Sequence, residues 1–330
     1  MKNAKIHTMQ KKLNIAILAG GNVAERAVSL KSAKTVAQHL DKTKYNSSII
    51  ELNGADFSEQ TSGIILDKND FSLHKAGQKT TFDAIFLMLH GHPAEDGSIQ
   101  GYFELLGIPC TGCSHFVSAL TFNKQITKDF LRPHGIPMAD SRLLKKGQTT
   151  DWADLESMGF PLFVKPNKNG SSYGVTKVND NSCIQSSTQK AFEFDNEVIV
   201  EQFMAGREFS NGVFRKGQEI IVLPITEIVS ENEFFDYQAK YENASEEITP
   251  ARLTPALTEK CQAQSGRLYE LLDCKGMVRF EYILQEEEFY LLEANTIPGW
   301  SAQSIFPQQV VAQGMTLTEC LSAVMDEALS

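Results

Sequence analysis

Two alternating stretches near the end of the chain carry acidic and amide side chains that together suit phosphate chemistry. Residues 277–284 and 289–295 each alternate apolar with polar side chains, so each is predicted to be a strand with one polar face. The polar positions on these faces are Arg279, Glu281, Glu293 and Asn295. If residues 285–288 form a turn that pairs Glu281 with Glu293, the four side chains share one side. Magnesium prefers carboxylate and amide oxygens, and an arginine beside them suits a nucleoside triphosphate during phosphoryl transfer.

The same pattern fits the solvent-exposed polar face of an edge hairpin, and the two strands alone leave both alternatives open. The turn that follows favours a site. Gly299 lets backbone N–H groups approach a ligand, and Ser304 precedes an apolar segment where its hydroxyl and nearby amides could hold a carboxylate. An ordinary Pro-Gly turn followed by a helix cap is the alternative.

A second candidate phosphate site begins at Lys165, which leaves an apolar run and enters a loop with glycine and serine at 170–174. N–H and O–H donors beside one mobile positive charge can cradle a phosphate. The loop is not a Walker A motif, because no Gly-Lys-Ser/Thr follows, and Gly20-Gly21 does not begin a G-x-G-x-x-G fingerprint. A plain hairpin turn is the alternative here.

Histidine and cysteine spacings raise two metal hypotheses. His90 and His92 could bind zinc with Glu95 and Asp96, but a loop at the end of a strand also suits a substrate-facing histidine, which we favour. A C-x-x-C spans 110–113 with no second cysteine pair nearby. The six cysteines are scattered along the chain, as is typical of reduced cytosolic thiols.

The apolar pattern predicts the elements that must position these residues. An apolar run at 13–19 ends at Gly20-Gly21, and an amphipathic helical pattern covers 24–40. A second apolar run, 84–89, ends in a polar loop and is followed by a helical segment over 99–106. Short apolar strands that alternate with helices predict a parallel sheet, whose loops at the carboxyl ends of the strands face one cleft.

From about residue 123 the pattern changes to a charged helix, proline-bounded connections and further strands. A strand is predicted at 221–225 and a helix at 257–272. Between them, a long polar segment includes 231–249. A polar connection of this length is usually an active-site loop or a disordered one, and the sequence leaves both open.

Composition excludes several classes of protein. The chain has 330 residues, 42% of them hydrophobic and 22% charged, which is typical of soluble globular proteins of two or three domains and not of disordered, collagenous or coiled-coil chains. A formal net charge of −10 makes it a poor partner for nucleic acid or an anionic membrane surface. No apolar run is long enough to span a bilayer, and residues 1–12 lack the apolar core of a signal peptide. We therefore expect a cytoplasmic protein that acts on small molecules.

Six motifs, taken together and in this order, resemble those of the ATP-grasp ligases, and within them the D-alanine–D-alanine ligase family. The motifs are Gly20-Gly21 with Glu25 and 28–30, His90-Gly91 with 95–101, Lys165-Pro166 with 170–175, and then 237–241, 279–281 and 293–299. The resemblance covers the chain from Leu13 to the C-terminus. It implies an α/β and α+β fold in which an N-terminal parallel-sheet domain precedes a two-domain ATP-grasp fold.

The resemblance also implies the domain boundaries and the reaction. A disordered lead-in covers 1–12, the substrate domain 13–122, the central domain 123–218 and the C-terminal domain 219–330, with a mobile loop at 231–249. ATP would lie between the last two domains and phosphorylate the carboxylate of a first D-alanine. The amine of a second D-alanine would then attack the acyl phosphate and give the dipeptide used in peptidoglycan.

The family pattern assigns the ATP site residue by residue. Two Mg²⁺ or Mn²⁺ ions would bind Glu281, Glu293 and Asn295. The residues implied to hold ATP are Lys124, Lys165, Ser172 and Lys240 along the phosphates, Glu201, Phe203 and Met204 at the adenine, and Glu208 at the ribose.

On the substrate side, the resemblance makes Glu25 the partner of the first ammonium group, with Ser171 and Tyr241 completing a hydrogen-bonded set. Arg279 and the Gly299 N–H would form an oxyanion hole. The remaining substrate-side residues are His90, Ser304 and Ile305. In this family a tyrosine at position 241 goes with D-alanine as the second substrate, and members are commonly homodimers through the N-terminal block.

Three departures from the family pattern concern the acceptor. Glu281 stands where many relatives have Asp, His92-Pro93-Ala94 replaces a glycine-rich loop, and Trp300 stands beside the expected acceptor site where a smaller residue is usual. Two alternatives stay open: an ATP-grasp ligase with another acceptor, such as D-serine or a hydroxy acid, and a nucleotide-binding protein without activity. From its position alone, Glu25 also fits an acid at a helix N-terminus, stabilised by the dipole.

Overall fold

The computed structural model of the chain describes residues 11–21, 25–170, 173–230 and 245–330. Most of the predicted lead-in, 1–10, and most of the long polar segment, 231–244, lie outside the described residues. In the part of the chain that is described, no helix is both long enough and apolar enough to cross a membrane.

The first sheet is built around a buried central strand. Its region contains β1 Leu13–Gly20, α1 Arg26–His39, β2 Tyr45–Asn53, β3 Asp56–Glu59, β4 Leu73–Lys75, β5 Gln78–Thr80, β6 Ala84–Leu87 and α2 Ser98–Leu106. The strand order is β3-β2-β1-β6, and β4 with β5 forms a separate hairpin. β1 pairs in parallel with both β2 and β6, which confirms the predicted parallel sheet. Residues 15–19 are fully buried, as a strand covered on both faces requires.

The second sheet is antiparallel and follows two helices. The elements are α3 His115–Phe122, α4 Lys124–Leu131, β7 Ser141–Lys145, α5 Trp152–Ser157, β8 Leu162–Pro166, β9 Thr176–Val178, α6 Ile184–Ala191 and β10 Glu197–Gln202. The strand order is β7-β10-β8-β9. Ile199 pairs with Lys165, so Glu201, two residues further along β10, lies on the same face of the sheet as that lysine.

The third sheet contains the acidic hairpin, which is the pair of strands that carries Glu281 and Glu293. The elements are β11 Arg207–Lys216, β12 Glu219–Val222, β13 Thr226–Ser230, β14 Ser245–Ile248, α7 Pro255–Leu271, β15 Val278–Gln285, β16 Glu288–Asn295, α8 Ile305–Ala312 and α9 Leu317–Ala328. The strand order is β14-β13-β11-β15-β16, and β12 pairs with β11.

The third sheet begins earlier in the chain, and the polar segment after β13 ends earlier, than the sequence suggests. β11 lies before residue 218 but pairs with β13 and β15, so the break between the second and third sheets falls ahead of β11. The predicted loop over 231–249 is too long at its end, because 245–248 form β14, which pairs with β13. The predicted strand at 221–225 corresponds to β12, which begins and ends earlier.

The hydrophobic core joins the two ends of the chain. β1 and β6 pack in one cluster with residues of α8 and α9, including Phe306, Leu321 and Met325. The third sheet and α7 form a second cluster, and the second sheet forms its own. All six cysteines are free thiols.

Candidate active site

One cavity of about 660 Å³ lies between the second and third sheets and reaches the loops of the first. The predicted site residues that line it are Glu25, His90, Lys124, Lys165, Glu201, Phe203, Met204, Glu208, Arg279, Glu281, Glu293, Asn295, Gly299, Ser304 and Ile305. Ser171, Ser172, Lys240 and Tyr241 lie outside the described residues. Every predicted site residue that the structure describes therefore lines the same cavity.

The acidic hairpin forms one wall of this cavity. β15 and β16 pair with Glu281 opposite Glu293 and Arg279 opposite Asn295, which is the register that a shared site requires. Arg279 Nη1 lies 3.1 Å from Glu281 Oε1. β15 lies inside the sheet between β11 and β16, and Glu281 is buried. The alternative of a solvent-exposed polar face is therefore wrong.

The oxygen atoms of the hairpin suit a divalent cation that is bound together with phosphates. Among the described residues, no group of three or more His, Cys, Asp or Glu side chains could hold a metal ion alone. Two carboxylates and one amide leave the other positions around Mg²⁺ to phosphate oxygens and water, as is usual in nucleotide sites. Asn295 Oδ1 accepts one hydrogen bond, from the Ile297 N–H at 3.0 Å, and has a second lone pair.

Lys124 faces the hairpin from the start of α4. Asn123 caps this helix by accepting a hydrogen bond from the Ile126 N–H at 3.1 Å. Lys124 Nζ donates to the Asn169 carbonyl at 2.7 Å, which ties it to the glycine- and serine-containing loop. Burial lowers the pKa of Lys124, and the carboxylate of Glu293 opposes that shift. A cation so placed suits an anionic phosphate chain.

Glu201 on β10 is held by two ammonium groups. Its Oε1 lies 2.6 Å from Lys128 Nζ, and its Oε2 forms an ion pair with Lys165 on β8. The side chains of Lys128 and Glu201 are only 4% and 8% exposed. Burial alone would raise the pKa of Glu201, but the charges of Lys165 and Lys128 outweigh it and lower the pKa to about 2. The carboxylate therefore stays ionised inside the cavity.

Lys128 lines the cavity but is absent from the predicted site. A signal for it exists, since it follows Lys124 by four residues and so lies on the same face of α4. Lys128 Nζ also donates to the Ala139 carbonyl at 2.7 Å. Burial lowers its pKa, an effect that its ion pair with Glu201 opposes.

The first-sheet side of the cavity contains two carboxylates, Glu25 and Glu95. Glu25 stands at the N-cap of α1, but its side chain makes no capping hydrogen bond. It lies against Gly91, where a β-carbon would be 2.8 Å from Glu25 Oε2. A β-carbon at Gly170 would be 3.7 Å from Glu95 Oε2 and 3.8 Å from Glu25 Oε1. Both acids thus approach the start of the loop after β8, and Glu95 is a further cavity residue that the predicted site lacks.

The two histidines of the loop after β6 have different partners. His90 Nδ1 lies 3.8 Å from Glu95 Oε1, whereas His92 is 74% exposed and its Nδ1 lies 2.5 Å from Asp96 Oδ2. His90 Nε2 is buried and has no hydrogen-bond partner among the described residues, so it is available to a ligand. The two rings do not converge as a zinc site requires, and His90 is the one that faces the cavity.

The turn after β16 leads into α8. Ser304 Oγ accepts from the Ser301 N–H at 3.0 Å and lies 2.8 Å from Ser301 Oγ, so it makes no capping bond to the helix. A β-carbon at Gly299 would be 3.2 Å from Ser304 Oγ. The first backbone N–H groups of α8, beginning at Ile305, suit a carboxylate.

The side chain of Trp300 does not line the cavity. Its side chain is fully buried in the core that the first sheet shares with α8 and α9, where its ring centroid lies 6.2 Å from that of Phe306. Its Nε1–H points at Met277 Sδ at 2.7 Å, and its backbone N–H donates to Ser32 Oγ at 2.9 Å. The indole therefore fills the core, and this turn lines the cavity through Gly299.

Two further acids line the cavity from β13 and β14. Glu227 is buried and pairs with Arg207 and Arg252, at 2.8 and 2.9 Å. Burial raises the pKa of Glu247, and the charge of Arg279 opposes the shift. Glu247 belongs to a segment that is predicted as loop, so the sequence contains no strand signal that would place it.

Comparisons with known proteins match this architecture over nearly the whole chain. Family models described as D-ala D-ala ligase N-terminus and C-terminus match residues 14–113 and 130–326. A D-alanine–D-alanine ligase of Flavobacterium johnsoniae is 45% identical over 328 residues, which cover 96% of this chain and 99% of the relative.

Two solved structures are similar in fold. D-alanyl-alanine synthetase A from Vibrio cholerae has a TM-score of 0.87 and 27% identity, with 97% of this chain and 100% of that chain covered. The D-alanine–D-alanine ligase from Bacillus anthracis complexed with ATP has a TM-score of 0.79 and 29% identity, with 96% and 97% covered.

Proposed function

The chain belongs to the D-alanine–D-alanine ligase family, and we propose that its cavity is where two D-alanines are joined with the use of ATP. It is an ATP-dependent carboxylate–amine ligase whose N-terminal parallel sheet precedes a two-domain ATP-grasp fold. Its dipeptide product serves peptidoglycan precursor synthesis. The observation that carries the proposal is the pairing of Glu281 with Glu293 on a wall of the cavity that Lys124 and Glu25 also line.

The end of the cavity near Glu201 suits the base of ATP. One edge of adenine presents a donor, its N6 amino group, beside an acceptor, N7. The ionised carboxylate of Glu201 accepts and the ammonium group of Lys165 donates, so the pair matches that edge. Phe203 and Met204 line the cavity just after β10, and Glu208 on β11 would accept hydrogen bonds from the ribose hydroxyls.

The phosphate chain then extends toward the hairpin. Lys124 and Lys165 contribute positive charge, and Ser172 and Lys240 are proposed as further donors. Two Mg²⁺ or Mn²⁺ ions would be held by Glu281, Glu293 and Asn295. When bound, such ions neutralise the phosphate oxygens and stabilise the charge that develops in phosphoryl transfer.

The substrates occupy the first-sheet side and the start of α8. Glu25 would bind the ammonium group of the first D-alanine, whose carboxylate attacks the γ-phosphate to give an acyl phosphate and ADP. The amine of the second D-alanine then forms the C–N bond, phosphate leaves with the C–O electron pair, and a proton is lost. Arg279 and the Gly299 N–H would stabilise the oxyanion of that step. The residues proposed for the remaining substrate contacts are His90, Ser171, Tyr241, Ser304 and Ile305.

The proposal is tested by phosphate release from ATP with and without D-alanine. We expect release to require D-alanine, to yield the dipeptide and to stop in Glu293→Gln. Offering D-serine or D-lactate beside D-alanine tests the other acceptors. Release that is indifferent to D-alanine, or ATP binding without turnover, would contradict the assignment.

We also propose that two copies associate through the N-terminal block in the cytoplasm. Leu105 on α2 and Phe116 on α3 are 90% and 64% exposed, and these two helices are neighbours, so a symmetric contact between copies would bury both side chains. Sedimentation of Leu105→Glu beside the unchanged chain tests this, and an unaltered mass would contradict it. Six free thiols fit a reducing compartment.

A further inference from the structure

We propose that Lys128 is a positioning residue that holds Glu201 against the base of ATP and so makes the site prefer adenine to guanine. The inference rests on the proposed function, in which Glu201 and Lys165 meet one edge of the base. Lys128 has no part in that edge contact, so its effect would pass through Glu201.

The contacts of Lys128 fix the carboxylate at one point. Its ammonium group lies 2.6 Å from Glu201 Oε1 and donates to the Ala139 carbonyl at 2.7 Å. Ala139 lies just before β7, the strand that pairs with β10. Lys128 therefore links the Glu201 side chain on β10 to the backbone just before the neighbouring strand β7. Both side chains of this ion pair are almost completely buried. The other carboxylate oxygen faces Lys165.

Lys165 alone would not be enough to hold the Glu201 carboxylate in place. Lys165 must donate to N7 of the base while it also pairs with Glu201, so it cannot by itself fix the carboxylate. A buried carboxylate left with one shared partner becomes easier to displace or protonate. With Lys128 present, the three groups sum to one positive charge, which also suits a polyanionic nucleotide.

Guanine is the base that this arrangement would reject. It presents O6, an acceptor, at the place where adenine presents its amino group, while N7 is an acceptor in both. An ionised carboxylate held at that place repels O6 and accepts a hydrogen bond from the adenine amino group. The preference therefore depends on Glu201 being both charged and fixed, which is the role we assign to Lys128.

The test compares ATP with GTP in Lys128→Met, whose unbranched side chain is one atom shorter and carries no charge. We expect the KM for ATP to rise about tenfold and the ratio of kcat/KM for ATP to that for GTP to fall about tenfold. The KM for D-alanine should change less than about twofold, because the substrate contacts lie elsewhere in the cavity. A purely structural role would move all three quantities together.

Two further variants serve as a second test of the charge and as a control for stability. Lys128→Gln keeps a donor for the Ala139 carbonyl but lacks the charge, and it should lose the same preference even if Lys128→Met is too unstable to assay. Leu155→Ala removes a fully buried side chain from the core of the same sheet without touching the cavity, so it controls for lost stability.

The outcomes separate this inference from the function on which it rests. If a stable Lys128 variant keeps the wild-type ratio of kcat/KM for ATP to that for GTP, the inference is overturned. It is also overturned if Leu155→Ala lowers this ratio as much as the Lys128 variants do. A wild-type enzyme that ligates D-alanine but uses GTP as well as ATP also overturns it. A wild-type protein without D-alanine-dependent phosphate release would instead contradict the proposed function.

Discussion

Glu281 and Glu293 lie opposite each other because β16 contains a bulge of one extra residue, Leu292, between this pair and the turn. Gln285 pairs with Glu288, and that register, continued without a break, would put Leu292 opposite Glu281. The register shifts between Glu281 and Tyr282, which brings Glu293 into that place. Such bulges occur beside active sites, where they redirect a side chain.

The pairing predicts that Glu293→Gln abolishes ligation without unfolding the protein. The amide keeps the shape of the side chain but removes the charge that would bind a cation at the phosphates, so we expect kcat to fall by about 100-fold or more. Phosphate release at saturating ATP and D-alanine measures this.

Glu288→Gln is the matched control on the same strand. Glu288 forms an exposed ion pair with Lys260 at 2.7 Å, so its loss should cost less than about 1 kcal/mol and leave kcat unchanged. A Glu293→Gln enzyme with near wild-type kcat would argue against a cation at the hairpin.

The contact between Glu25 and Gly91 predicts a defect in D-alanine binding. Gly91→Ala would place a methyl group 2.8 Å from Glu25 Oε2 and displace the carboxylate. We expect the KM for the first D-alanine to rise about tenfold or more, because small displacements of a substrate-binding group are costly. Steady-state kinetics at varied D-alanine measure it.

Gly107→Ala controls for backbone strain. Gly107 has φ of 66°, close to the 64° of Gly91, and a β-carbon there would meet nothing within 4 Å. Both variants should therefore lose roughly 1 to 2 kcal/mol of stability from the left-handed conformation. An equal rise of the KM for D-alanine in Gly91→Ala and Gly107→Ala would show that the contact with Glu25 is not the cause.

The buried indole of Trp300 predicts a stability defect and unchanged acceptor choice. Trp300→Leu would leave a cavity in the core and remove the Nε1–H contact to Met277, so we expect the free energy of unfolding to fall by about 2 to 4 kcal/mol. Urea denaturation measures this loss. The ratio of D-serine to D-alanine incorporated should stay constant, and a changed ratio at full stability would restore Trp300 to the acceptor site.

The sequence predicts the faces of the hairpin better than its pairing. Alternation is a local property, so it identifies that Arg279 shares a side with Glu281 and that Glu293 shares a side with Asn295. The register depends on the bulge at Leu292, which arises from pairing and packing and has no marker in the sequence. The sequence therefore identifies the two pairs of side chains, whereas the bulge that brings Glu281 opposite Glu293 is seen only in the structure.

The missed residues have a related cause. β14 contains Ser245, two glutamates and one isoleucine, too little apolar pattern to predict a strand, and it forms because β13 offers a partner. Lys128 has a helical spacing from Lys124 but looks like any exposed lysine until β10 places Glu201 against it. Tertiary contacts, which composition and periodicity do not encode, determine both.

The ion pairs of Glu201 predict a loss of stability in acid. Its pKa is about 2 in the folded protein and about 4.5 ordinarily, so the stabilisation is present above pH 4.5 and is lost as the pH falls toward 2. We expect Glu201→Gln to be about 3 kcal/mol less stable at pH 7, since it leaves two buried lysines without their partner. That difference should narrow by roughly half between pH 5 and pH 3.

Urea denaturation of both proteins across this pH range measures the difference. Glu288→Gln, with its exposed ion pair, should differ from wild type by less than about 1 kcal/mol throughout. A gap between wild type and Glu201→Gln that stays constant with pH would show that the ion pairs do not lower the pKa of Glu201 in the folded protein.

One buried amide fastens α8 to the third sheet. Gln309 Oε1 accepts from the Gly212 N–H at 2.9 Å, and its Nε2 donates to the Ser210 carbonyl at 2.8 Å and to Thr226 Oγ1 at 3.0 Å. The side chain is fully buried. Its contacts therefore set the position of the helix whose start carries Ser304 and Ile305.

Gln309→Leu should loosen that start and weaken acceptor binding. Each polar group left without a partner costs about 1 to 3 kcal/mol, so the helix would shift rather than keep its place. We expect the KM for the acceptor D-alanine to rise about tenfold while the KM for ATP stays within about twofold, because the nucleotide contacts come mainly from β8 and β10. Gln313→Ala, at the exposed end of α8, should change neither constant. If both constants rise together in Gln309→Leu, α8 supports the whole cavity and has no separate role in placing the acceptor.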